Sequence, residues 1–82
     1  MIIEDHRNIS CGGDPFNYLK SVLKSLQFSL EPGQEAMVQI LKEKFPYEER
    51  LFDAVGSTYS LKLVDFQEHG GEVDVIFRRA NG

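Results

Sequence analysis

Residues 59–78 read Tyr59-Ser60-Leu61-Lys62-Leu63-Val64-Asp65-Phe66-Gln67-Glu68-His69-Gly70-Gly71-Glu72-Val73-Asp74-Val75-Ile76-Phe77-Arg78, and their pattern decides the architecture. Val73, Val75 and Phe77 alternate with Glu72, Asp74, Ile76 and Arg78, the period of a strand with one face on a core. His69-Gly70-Gly71 before it is a hairpin turn, because adjacent glycines accept the positive φ values of tight turns. Upstream, Tyr59, Leu61 and Leu63 alternate with polar residues, but Phe66 follows Val64 out of phase. That break predicts a bulge or twist near Leu63-Val64. The segment is therefore an antiparallel ribbon.

Outward from this ribbon, toward the amino terminus, the period switches back and forth between helix and strand. Phe45-Pro46 opens a helix, with proline suited to its start and Glu48 and Glu49 favourable to the helix dipole in the first turn. Leu51, Phe52 and Val55 form its apolar face, and Gly56 is placed to end it. Before it, Ala36-Met37-Val38-Gln39-Ile40-Leu41 is apolar on nearly both faces, as a central strand is. Glu31-Pro32-Gly33 is the turn that leads into this strand.

From Pro15 to about Phe28, the residues Phe16, Leu19, Leu23 and Leu26 recur at helical spacing, flanked by Tyr18 and Val22. Asn17, Lys20, Ser21, Lys24 and Gln27 fall on the other side, so one face of this helix lies on a sheet. Asp14 is positioned to cap it and Pro15 to take its first turn. Ile2 to Ile9 begins as a short strand with Ile3 and Ile9 turned inward, and its polar middle suits a sheet edge. Ala80-Asn81-Gly82 is expected to fray.

The order is β-α-β-α-β-β, an α/β chain of the α+β two-layer sandwich type. It predicts a four-stranded mixed sheet with both helices on one face. Right-handed crossovers make the first three strands mostly parallel, and the hairpin reverses the last. Residues 1–82 make a single domain. Met37 and Leu41 on the open sheet face favour a partner there.

Composition narrows the function. Nine basic residues are scattered among thirteen acidic ones, for a net charge of −4. Nucleic-acid binders gain affinity by clustering Lys and Arg on phosphates, so no nucleic-acid partner is expected. Cys11 is the only cysteine, which excludes an intramolecular disulfide. Met1-Ile2-Ile3-Glu4-Asp5 lacks the apolar stretch of a signal peptide, and no run nears the roughly 20 apolar residues that cross a bilayer. A cytoplasmic protein with no membrane partner is the expectation.

Asp5-His6-Arg7 stands a few residues before Cys11, and after it come a Leu-rich helix, Pro32-Gly33-Gln34 and the apolar run Ala36 to Leu41. In this the chain resembles the TusA/SirA family of small sulfur carriers. Members of that family open with a strand bearing an Asp-x-Arg pair, then a cysteine, then a proline-started helix, a Pro-Gly-Glu-like turn and an apolar strand. The resemblance runs over nearly the whole chain. The family signature Cys-Pro-x-Pro stands here as Cys11-Gly12-Gly13-Asp14-Pro15, and the Asp-Pro pair of the second helix as Phe45-Pro46.

The resemblance implies a sulfurtransferase-like carrier, with no cofactor and no metal. Cys11 would take up sulfane sulfur as a persulfide from a donor protein of desulfurase or rhodanese type and hand it to an acceptor protein. Gly12 and Gly13 would line its loop, Asp14 and Pro15 would start the supporting helix, and Asp5 and Arg7 would brace the loop. Physical chemistry bears on this in two directions. A loop before a helix favours a thiolate through the helix dipole, and glycine amides approach an anion closely. Asp14 competes for the same helix terminus, and its charge raises a neighbouring thiol pKa.

The competing reading makes Cys11 a small buried apolar residue, the commonest place for a free cysteine. The chain is then a non-catalytic interaction module that kept the fold and lost the persulfide role. A metal site from His6 and Cys11 lacks a clear third ligand. His69 at the hairpin tip is a solvated turn residue. Alba-like chromatin proteins share the order of elements but carry strongly basic surfaces, which this acidic chain lacks.

Overall fold

The computed structural model describes residues 1–8 and 14–80. Its elements are β1 (Ile2–Asp5), α1 (Pro15–Ser29), β2 (Glu35–Leu41), α2 (Glu49–Thr58), β3 (Leu61–His69) and β4 (Glu72–Arg79). The sheet order is β1-β2-β4-β3. β1 runs parallel to β2, and β4 is antiparallel to both β2 and β3. β1, β2 and β3 therefore share one direction, and the hairpin folds β4 back between β2 and β3.

One cluster of buried side chains joins the two layers. α1 contributes Leu19, Val22, Leu23 and Leu26, and α2 contributes Phe52 and Val55. The sheet contributes Ala36, Val38 and Ile40 from β2, Leu61 from β3, and Val73, Val75 and Phe77 from β4. Both helices thus cover the same sheet face. α1 begins at Pro15 behind the Asp14 cap, as its sequence dictates. No helix among the described residues is long and apolar enough to cross a membrane.

The ribbon matches its sequence pattern. Leu63 pairs with Phe77 and Asp65 with Ile76, so the ladder shifts between them. The extra residue, Val64, brings Phe66 back to the helix face. Gly70 and Gly71 turn the hairpin at φ values of 58° and 81°, and Gly33 holds the Glu31-Pro32-Gly33 turn at 88°.

Five details differ from the sequence reading. Ile3 does not point inward: it is 62 % exposed and pairs with Met37 on the open face, which leaves Ile2 and Glu4 on the helix side. β1 ends at Asp5, and Ile9 lies outside the described residues. α2 begins at Glu49, three residues after Pro46, because Phe45 first drops into the core at 1 % exposure and Tyr47 N–H bonds to Phe45 O at 2.8 Å.

Gly56 does not end α2. It lies inside the helix, where a Cβ would stand 2.8 Å from the Phe77 ring and 3.0 Å from the Leu61 carbonyl. Its missing side chain lets α2 press onto the sheet, and Ser60 takes the left-handed exit at φ 61° instead. Lastly, Ala80 is tied to the fold by its N–H, which bonds to Ser60 O at 2.8 Å, while Asn81 and Gly82 of the expected fraying end lie outside the described residues.

Candidate functional site

Strand alternation sends the side chains after β1 in two directions. Even-numbered residues face the helices and odd-numbered ones the open face, and the two sets build different structures around the connection to α1.

On the open face, Asp5 and Arg7 form a forked pair: Arg7 Nε donates to Asp5 Oδ1 and Nη2 to Oδ2, each at 2.9 Å. The Arg7 backbone N–H also donates to Asp5 Oδ1 at 3.0 Å. Arg7 Nη1 then reaches Glu72 Oε1 on β4 at 2.9 Å. The arginine thereby spans β2 and ties the end of β1 to the hairpin. These bonds, the Arg7 side chain foremost, hold the Asp5 carboxyl down at about 2, from an ordinary 3.8, because they favour its charged form.

A pH prediction follows from that sign. A carboxyl depressed in the folded state contributes stability fully present above its ordinary value and lost as pH falls through the folded one. NMR titration of the Asp5 carboxyl is expected to show a midpoint of about 2, and Arg7→Gln to move it up toward 3.8. A midpoint indifferent to that substitution would contradict the pairing.

On the helix side, Glu4, His6 and Tyr18 form a chain. His6 Nε2 lies 3.0 Å from Glu4 Oε1, and Nδ1 lies 2.8 Å from the Tyr18 hydroxyl. With Glu4 ionised and the ring neutral, Nε2 carries the proton and donates, so Nδ1 accepts from Tyr18. The two rings meet edge-on at 5.6 Å, and Tyr18 leans on the buried Phe45 ring at 6.0 Å. This chain fixes the first turn of α1 against the end of β1.

Where the connection enters α1, Asp14 Oδ1 accepts from Phe16 N–H at 2.9 Å and Pro15 takes the first turn. Phe16 packs edge-on against Tyr47 at 6.1 Å. The Tyr47 hydroxyl is raised above its ordinary pKa, first by burial and then by the nearby Asp14 carboxylate.

Of the residues singled out from sequence, the fold brings Asp5 and Arg7 together at one end of the connection and places Asp14 and Pro15 at the other. Cys11, Gly12 and Gly13 lie outside the described residues. Glu4, Tyr18, Tyr47 and Glu72 were not legible as site residues. The parity of β1 was the available signal for Glu4 and His6, since it puts both opposite α1. His69 is exposed, as read, and bonds Asp74 Oδ2 at 2.8 Å. Among the described residues no group of three His, Cys, Asp or Glu side chains could hold a metal ion. No family model matches the chain, and no curated protein sequence matches it.

Proposed function

We propose that the protein is a small sulfur carrier of the TusA/SirA kind, with Cys11 as the sulfur acceptor. The observation that supports the reading is the frame around residues 9–13. A strand ends in the Arg7 clamp on Asp5 and Glu72, and a capped, proline-started helix begins at the other end. Residues 9–13, outside the described residues, join these two elements, and the amino end of a helix is where amide dipoles favour negative charge.

The transfer is a thiol exchange. The Cys11 thiolate attacks the outer sulfur of a donor persulfide, a Cys11 S–S bond forms, and the donor S–S bond breaks. The donor sulfur leaves as a thiolate that takes up a proton. Neither oxidant nor reductant is consumed. An acceptor nucleophile later removes the outer sulfur and returns the thiol. The protein is a relay between two proteins, needing no cofactor or metal for these steps, and a reducing cytoplasm suits its single thiol.

The test is intact-mass measurement after incubation with polysulfide or a persulfidated desulfurase. A gain of whole sulfur masses is expected, removed by a thiol reductant and absent from Cys11→Ser. No gain, or a gain retained in Cys11→Ser, overturns the reading.

One observation favours the alternative, an interaction module without sulfur chemistry: Asp14 already places a carboxylate on the Phe16 amide in the first turn of α1. That reading expects an ordinary thiol with a midpoint of about 8.5. Alkylation rate against pH separates the two, because an activated carrier thiol reacts with a midpoint well below that value.

A further inference from the structure

On the open face, β4 carries two carboxylates two residues apart, Glu72 and Asp74, so both leave the strand on the same side. They meet their cations from opposite directions. Arg7 Nη1 reaches over β2 to Glu72 Oε1 at 2.9 Å, while Nε and Nη2 hold Asp5. His69 on β3 is the register partner of Glu72, yet its Nε2 lies 2.8 Å from Asp74 Oδ2. The ring bonds diagonally across the ladder and leaves Glu72 to the arginine.

The two carboxylates differ in their surroundings. The side chain of Glu72 is 38 % exposed and that of Asp74 only 19 %. Asp74 Oδ1 is buried and has no hydrogen-bond partner. Its register neighbours, Gln39 and Gln67, carry no charge, and Gln67 Nε2 donates to Asp65 Oδ2 instead. A carboxylate so far removed from water depends on a neighbouring cation for compensation. His69 is that neighbour.

The open face therefore holds a chain of alternating charge, Asp5–Arg7–Glu72–His69–Asp74, with one permanent cation and one that titrates. The bond to Asp74 raises the ring above its ordinary pKa of 6.5; burial opposes this, the charges of Asp74 and Glu72 add to it, and that of Arg7 subtracts. Lys42 and Glu68 pair with each other at 3.0 Å, with Glu68 opposite the buried Val73 on the helix side.

We propose that His69 is a pH-sensitive latch that joins the β3–β4 hairpin to the Arg7 clamp at the end of β1. With the ring protonated, each β4 carboxylate has its own cation, and Arg7 serves Asp5 and Glu72. When the ring loses its proton, Nε2–H still donates to Asp74, but the charge that offset this carboxylate is gone. Glu72 and Asp74 then share Arg7 as the cation of the group, and the arginine is drawn from Asp5 toward β4. The attachment of β1 to the hairpin thereby responds to pH. A raised histidine contributes stability that is fully present below 6.5 and lost as pH rises through its folded value. The inference does not depend on sulfur chemistry at Cys11.

NMR of the histidine rings and of arginine Cζ in the full chain tests it, from about pH 5 to about pH 9. The His69 ring, the signal lost in His69→Gln, is expected to titrate above 6.5, lower in Asp74→Asn and higher in Arg7→Gln. The Arg7 Cζ resonance is expected to move with the His69 midpoint in the wild type and to lose that step in His69→Gln. Stability in urea is expected to fall as pH rises through the same midpoint, and to fall less in His69→Gln. A His69 midpoint unmoved by substitution of its neighbours, an Arg7 signal indifferent to the ring, or an equal fall in His69→Gln would each overturn the proposal.

Discussion

Phe77→Ala is expected to cost about 3–5 kcal/mol, the range for removing a fully buried aromatic ring. Phe77 has no exposed surface and sits on β4, paired with Ala36 on one side and Leu63 on the other. The ring lies against the backbone of α2 at Gly56. Alanine would leave a void bounded by two strands and a helix, none of which can close it without giving up ladder bonds or core contacts. Domains of this kind are stable by about 5–15 kcal/mol in total. One as short as this buries only about 60% of its unfolded surface and stands at the lower end. Urea unfolding is expected to lose most of its folded baseline, and the melting temperature to fall by more than about 15 °C. A loss under about 1 kcal/mol would mean that the ring does not fill the centre of the core.

The second large effect comes from adding atoms to the same contact. Gly56→Val is expected to destabilise by about 3 kcal/mol, at the upper end of overpacking costs. The first added carbon alone would meet the Phe77 ring at 2.8 Å and the Leu61 carbonyl at 3.0 Å. The ring is enclosed and the carbonyl belongs to a strand, so neither yields cheaply. Gly56→Ala recovers about 1 kcal/mol through helix propensity, so its net cost is smaller. The pair Gly56→Ala with Phe77→Leu supplies the check. If the clash is with the ring, the alanine costs less in the leucine background than in the wild type. Strict additivity would show that the helix has moved away.

These two residues also show where sequence reasoning stops. Val73, Val75 and Phe77 announce a strand face through their period of two, and the double glycine announces the hairpin. The slip at Val64 is legible as a bulge because the pattern resumes at Phe66 in the opposite phase. Such signals are local. Gly56 is different: a glycine late in an amphipathic stretch has the local signature of a helix end, and only Phe77, 21 positions further on, makes it an interior contact. Pro46 has the same ambiguity, since a proline starts a helix or precedes one according to where its neighbour Phe45 is buried. Ile3 faces the open side against its apolar character, because a short polar strand offers too few residues to fix its phase.

The candidate site divides in the same way. Asp5 and Arg7 share a strand face by their spacing, and Asp14-Pro15 is a helix start on chemistry alone. That Arg7 also binds Glu72, 65 positions away, or that His6 joins Glu4 to Tyr18, depends on which strands become neighbours. Chain topology carries that information.

The strand order has a consequence for how the molecule comes into being. β4 is the last of the described strands in chain order, yet it lies between β2 and β3 and delivers Val73, Val75 and Phe77 to the core. While the chain is being synthesised, β2 and β3 have no strand between them until residues 72–79 arrive, and both helices wait on an unfinished floor. Closing pairs such as Glu35 with Arg78 join segments far apart in sequence, which slows folding through loop-closure entropy. The core is therefore complete only when residues 72–79 have joined it, because the strand at its centre is made after the elements that flank it.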